Sequence, residues 1–192
     1  MCASRSALLF LCVATVLLSE AQNDPVVGAF DLQRERMATN SMLVLGGWAV
    51  GTMITGGVGL TQVPATSESG RFHQMNIAWN AVNLGIALPA YLRGRKRLRR
   101  PTDTDLAVAV DAQRRTEKVY LINFGLDLGY IGLGAWMREH ARTDVKDPDL
   151  WAGSGSSLLV QGGFLLLFDG VNHWLHTRHW QQQRTVLWRS PR

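Results

Sequence analysis

The stretch Phe72–Leu92, FHQMNIAWNAVNLGIALPAYL, has no charged residue, yet it holds one histidine, one glutamine and three asparagines. Its length matches the ~20 residues a helix needs to cross ~30 Å of hydrocarbon. At about 100° per residue, His73, Asn76, Asn80 and Asn83 fall within an arc of about 80°. The polar groups therefore form one edge of an otherwise apolar helix. An edge of this kind needs hydrogen-bonding partners, so the reading of this segment turns on whether matching edges exist elsewhere.

Three further blocks resemble it. Met42–Leu60, Gln74–Leu92, Val119–Met137 and Ser157–Thr177 contain no Lys, Arg or Glu. The composition of the 192-residue chain, 46% apolar and 18% charged, admits a soluble core or a membrane bundle. The distribution of charge favours the bundle, because buried helices of small soluble domains usually keep a charged face. The expected fold is all-α, a transmembrane four-helix bundle over 22–192 with spans at about 42–60, 74–92, 119–137 and 157–177. A basic loop would occupy 93–118 and a polar tail 178–192. Ahead of it, Ala7–Leu18 is an apolar run followed by Ser19-Glu20-Ala21, the pattern of a signal peptide over 1–21. Cys2 and Cys12 both lie in that segment, so a processed chain has no disulfide, thiolate nucleophile or Cys metal site.

Asp24-Pro25 reads as an N-cap followed by Pro at the first helical position, so the first helix should start well before its apolar block. TQVPATSESG forms a polar turn, and the Thr/Asp cluster after Pro101 can cap a third helix that protrudes from Asp105. DPDLWAGSGS separates the third helix from the fourth. Arg34 and Arg36, nine basic residues of the second loop and four of the tail share one end, fifteen in all. The other end has only Arg71, Arg138, Arg142 and Lys146. Retention of Lys and Arg on the cytoplasmic side places the basic end inside. A signal peptide would deliver Gln22 to the outside, so the two rules conflict. RGRKRLRR lacks interleaved aromatics, so residues 93–100 are expected to meet anionic lipid headgroups and not nucleic acid.

The other blocks do carry matching edges. Tyr120, Asn123, Asp127, Tyr130 and Gly134 share an arc of the third helix. Gln161, Asp169, Asn172, His176 and His179 share one on the fourth, and Ser41, Trp48, Thr52, Thr55 and Gly59 share one on the first. Thr52, Asn83 and Asp127 lie near the middle of their blocks, and Asp169 about two residues off it. Two carboxylates at one depth with no Lys or Arg in any span require compensation by a proton, a bound cation or His173. The candidate ligand- or ion-binding residues are Thr52, Asn76, Asn80, Asn83, Asn123, Asp127, Tyr130, Gln161, Asp169, Asn172 and His173. The alternative is structural glue, with amides and acids bonding across helices. Gly47-x-x-x-Gly51, Thr55-x-x-x-Gly59 and Gly125-x-x-x-Gly129 should bring backbones together, with Gly162, Gly163 and Gly170 in the fourth helix.

No catalytic constellation, phosphate loop or nucleotide fingerprint is present, and no cofactor is expected. His173 and His176 are the only candidates for a metal, and their Trp and Arg neighbours suit a membrane boundary better. Haem ligation would draw on His73, His140, His173 or His176, which fall at the edges of the spans.

MLVLGGWAVG, FHQMNIAWNAVN, LDLGYIGLGAWM and VQGGFLLLFDGVNHWLHTR together resemble a small multi-pass bacterial membrane-protein family, a domain of unknown function, over about residues 30–178. The resemblance implies a four-helix bacterial membrane protein and carries no activity to transfer; the expected location is the bacterial inner membrane. The function expected is a non-enzymatic bundle whose polar interior binds a small ligand, proton or cation, as an accessory subunit. The alternative is a proton- or cation-coupled carrier working through Asp127 and Asp169, for which four helices would call for a homo-oligomer.

Overall fold

The computed structural model describes residues 24–100 and 104–189. The expected signal peptide lies outside them. The described residues form four helices: α1 (Pro25–Leu60), α2 (Glu68–Arg97), α3 (Leu106–His140) and α4 (Pro148–Arg189). At 1.5 Å per residue they are roughly 45–63 Å long, well over a hydrocarbon core. No strand occurs among the described residues.

Their starts are set by side chains that accept from otherwise unpaired backbone N–H groups. Asp24 accepts from Val26 N at 2.8 Å with Pro25 behind it, Ser67 from Gly70 N at 3.2 Å, and Asp105 from Ala107 N at 2.7 Å. Asp147 accepts from Leu150 N at 3.1 Å where α4 begins. The caps expected at Asp24 and after Pro101 are thus in place.

The connections are shorter than the charge pattern suggested. Most of the supposed basic loop is helix, because Arg and Lys are good helix formers and Arg95, Lys96 and Arg97 sit in the last turn of α2, where cations favour the helix dipole. The supposed tail is helical through Arg189, and α4 begins at Pro148, so most of DPDLWAGSGS is helical too.

α1 packs along α2 and α3 along α4, while α2 lies against α4 and shares no close backbone contact with α3. α4 therefore touches all three other helices. Its crossing with α3 is tight: a Cβ on Gly134 would come 2.8 Å from Gly155 O, and one on Gly162 would come 2.9 Å from Ile131 Cγ1. Gly59 makes room for the His73 ring and Gly94 for Thr39 across the α1–α2 seam. Gly47, Gly51, Gly125 and Gly129, expected at such crossings, instead face open space, as does Gly163. A four-residue spacing fixes that two glycines share a face, but not which face.

The polarity of the bundle is inverted. Asn76, Asn80, Asn83, Gln161, Asp127 and Asp169 are buried, whereas Leu43, Ile54, Val82, Ile86, Leu126, Leu133, Leu167 and Val171 are exposed. Apolar cores are small: Val27, Phe30, Ala109, Trp180 and Leu187 at the end where the chain enters α1, and Leu45, Ala87, Tyr120, Leu165 and Phe168 near mid-height. That entry end, which also holds the α2–α3 connection and the end of α4, is called the lower end below. Among the described residues, α1 and α4 alone hold a window apolar enough to span a membrane, at mean hydropathy 1.5 and 1.3. In α2 and α3 the amides and the acid of the polar edges lower the average.

Candidate functional site

Most residues of the four polar edges read from the sequence turn to one interior, although Thr55 of α1 is exposed and bonds back to its own helix. In the upper zone two side-chain acceptors, Asn76 Oδ1 and Gln161 Oε1, tie three helices together. Asn76 Oδ1 on α2 accepts from Gln161 Nε2 at 2.7 Å and from Ser157 Oγ at 2.9 Å, both on α4. Gln161 Oε1 in turn accepts from Trp48 Nε1 of α1 at 2.9 Å. Asn80 donates to the Asn76 carbonyl at 2.9 Å and Asn83 to Asn80 Oδ1 at 3.2 Å, extending the chain of amides down α2. Each interhelical bond of this kind contributes only about 0.6 kcal/mol on average, but leaving any partner unmade in a dry interior costs more.

The middle zone is carboxylic. Asp127 of α3 and Asp169 of α4 are 2% and 3% exposed and are neighbours that interact electrostatically, with Asn123 close to Asp169. Neither takes part in an ion pair among the described residues, whose salt bridges all lie elsewhere. Asp127 Oδ2 and Asp169 Oδ1 are buried with no donor in the protein. Like charges this close together and out of water strongly disfavour one another, so burial of two carboxyl groups here calls for compensation. About two turns below Asp127 on α3, Tyr120 OH and Ser41 Oγ are 2.6 Å apart, linking α3 to α1.

Toward the lower end the seam fills with further titratable groups. His176 is fully buried, its ring 5.5 Å from that of Tyr120, and neither ring nitrogen has a partner in the protein. Gln113 Nε2 donates to Glu117 Oε1 at 2.9 Å and to the His176 carbonyl at 2.8 Å. His179 stacks on Phe30 at 4.8 Å, and burial followed by the charge of Arg34 holds its imidazole below the usual histidine range, although its bond to the Phe30 carbonyl acts the other way. Arg34 pairs with Asp31 at 2.7 Å and Glu35 at 3.2 Å in a buried cluster, and Arg97 reaches Glu35 at 3.6 Å.

Of the residues picked from the sequence, Asn76, Asn80, Asn83, Asp127, Gln161, Asp169 and Asn172 are buried on the shared interior, and Asn123 joins Asp169. Thr52 bonds back to its own helix at Trp48 O and Ala49 O, and Asn172 likewise to Phe168 O. Tyr130 packs edge-on against Trp79 beside an apolar groove of about 390 Å³ between α2, α3 and α4. His173 turns Nδ1 to the Glu117 carbonyl at 3.0 Å. The upper-end histidines are spent on packing, His73 against Gly59 and His140 between Trp136 and Trp151. Among the described residues no three His, Cys, Asp or Glu are grouped to hold a metal ion. The sequence reading missed Ser157, Gln113, Glu117 and the Arg34 cluster. Glu117 and Gln113 continue the Tyr120 edge by about one and two turns, so the 100° rule would have found them had it been carried back past Val119.

Fold and site together define a four-helix bundle built around a buried polar seam with a paired-carboxyl centre. Residues 44–170 match the family of unknown function DUF6992, and the chain belongs to that family. No curated protein and no solved structure matches it.

Proposed function

We propose that this protein is an integral membrane bundle, non-enzymatic, in which Asp127 and Asp169 together bind one proton or one monovalent cation. The observation that carries the reading is the adjacency of two buried carboxyl groups that no ion pair reaches. A site of this kind is costly for a purely structural bundle, where an amide pair would serve as well. The membrane part rests on the inverted polarity, since the apolar belt over Leu43–Val58, Val82–Leu92, Val119–Trp136 and Val160–Leu175 suits acyl chains better than water. The lower end, with Arg93, Arg95, Lys96, Arg97, Arg99 and Arg100, faces anionic headgroups on the cytoplasmic side of a bacterial inner membrane. Such a protein would serve as an ion- or proton-responsive accessory subunit.

Infrared spectroscopy of the purified protein tests this. At neutral pH a carboxylic acid C=O stretch is expected, absent from the Asp127→Asn/Asp169→Asn double variant and bleached by titration with Na⁺ or K⁺ if cation and proton compete. The absence of both a carboxyl band and a cation-dependent change would sink the site. Release of the protein from membranes by alkaline carbonate would sink the membrane assignment.

A further inference from the structure

The interior is asymmetric about the carboxyl pair. Above it, Trp48, Asn76, Ser157 and Gln161 are neutral and bonded to one another. The unpartnered buried atoms on that side, Arg71 Nε and Trp79 Nε1, are donors only and cannot relay a proton. Below it, buried groups that both accept and donate continue to the lower end. Tyr120 OH is paired with Ser41 at 2.6 Å, and the Tyr120 ring lies 6.3 Å from that of Phe168, the residue next to Asp169. His176 follows beneath the Tyr120 ring, and Gln113 Oε1, Thr177 Oγ1 and Thr39 Oγ1 are further buried oxygens with no partner in the protein. The groups around His176 are His173 and His179 of α4, Tyr120 and Glu117 of α3 and Arg34 of α1, with Arg97 of α2 one pair further out at Glu35.

From this placement we infer that the Asp127–Asp169 pair exchanges protons with one side only, the lower end, along a line through His176 and the Tyr120–Ser41 hydroxyl pair. Buried polar atoms without protein partners recruit ordered water, and water joined to imidazole and hydroxyl groups carries protons by successive short transfers. At His176 a proton binds one ring nitrogen as another leaves the second, so the ring ends with its charge unchanged. Tyr120 receives on its oxygen and gives up its own hydrogen toward Asp169 in the same way. The net change is one proton gained by the carboxyl pair and one lost from the lower-end solvent. The upper amides, each fixed in a single donor–acceptor pattern, close the opposite route.

The inference rests on the carboxyl pair holding a proton, and one measurement separates the two. In the full-length protein, the carboxyl stretch of the pair is followed after transfer from H₂O to D₂O. Tyr120→Phe, His176→Phe and the milder His176→Gln are expected to slow its shift about tenfold, equivalent to roughly 1.4 kcal/mol of added barrier. Ser157→Ala, on the upper side, leaves the rate unchanged. A wild-type protein without the carboxyl band overturns the proton-binding reading and this route with it. A band whose exchange is equally fast in the Tyr120 and His176 variants, or is slowed as much by Ser157→Ala, overturns the route alone. Thermal melts of each variant show that Tyr120→Phe and His176→Gln are folded when the rates are compared.

Discussion

The upper amide cluster and the carboxyl seam occupy the same interior, only a few turns apart, yet they solve opposite problems. Around Asn76 every side-chain donor and acceptor that joins α1, α2 and α4 has a fixed neutral partner. Around Asp169 the groups are titratable, and several atoms have no partner in the protein. Satisfied amides fix which helices meet and in what register. Unsatisfied acids and an unpartnered imidazole work against that purpose, because each buried polar atom without a bond costs about 1–3 kcal/mol. The contrast separates what holds the bundle from what the bundle holds.

The largest effect is expected in the upper cluster. Asn76→Leu strips Ser157 and Gln161 of their shared acceptor, and the loss of stability should be about 3 kcal/mol, from two stranded donors at the cost per group given above. Denaturant unfolding in detergent checks it, and a loss below about 1 kcal/mol would erase the division into a holding zone and a held zone. The Asp127→Asn/Asp169→Asn variant should do the reverse, shifting stability by no more than about 1 kcal/mol because the amide pair replaces a carboxyl pair without needing a proton. Protein abundance in membranes is the readout, and a collapse there would make the carboxyls glue. The smallest effect belongs to Thr52→Val. Its hydroxyl bonds only within α1, so a change under about 0.5 kcal/mol is expected.

Much of this arrangement was legible in the sequence, and the reason is geometric. In a long helix whose outside is apolar, polar residues are confined to the face that meets other helices, so an arc computed at 100° per residue picks out the buried side. Asn76, Asn80, Asn83, Asp127 and Asp169 were found in this way. The same rule was not carried into Gln113 and Glu117, although a helix was expected from Asp105, because Arg114, Arg115 and Lys118 put that stretch outside the charge-free block. Their long side chains leave the helix surface while the Gln113 face stays inside. Which inward groups bond across and which fold back, as Thr52 and Asn172 do, depends on the axial offset between helices. That offset comes from tertiary packing, at contacts such as Gly134 on Gly155, and no single helix encodes it. The outward Gly47 and Gly51 illustrate the same limit.

The dependence of α2 on α4 has a consequence for the newborn chain. Both side-chain donors to Asn76 belong to the helix that leaves the ribosome last. Until α4 has been made, the amide row of α2 has only α1 and its own backbone for company. In a bilayer, this makes α2 a reluctant entrant whose commitment waits on a helix not yet translated. A chain cut short before Pro148 should then be recognised by quality-control proteases as incomplete, even though three of its four helices are present.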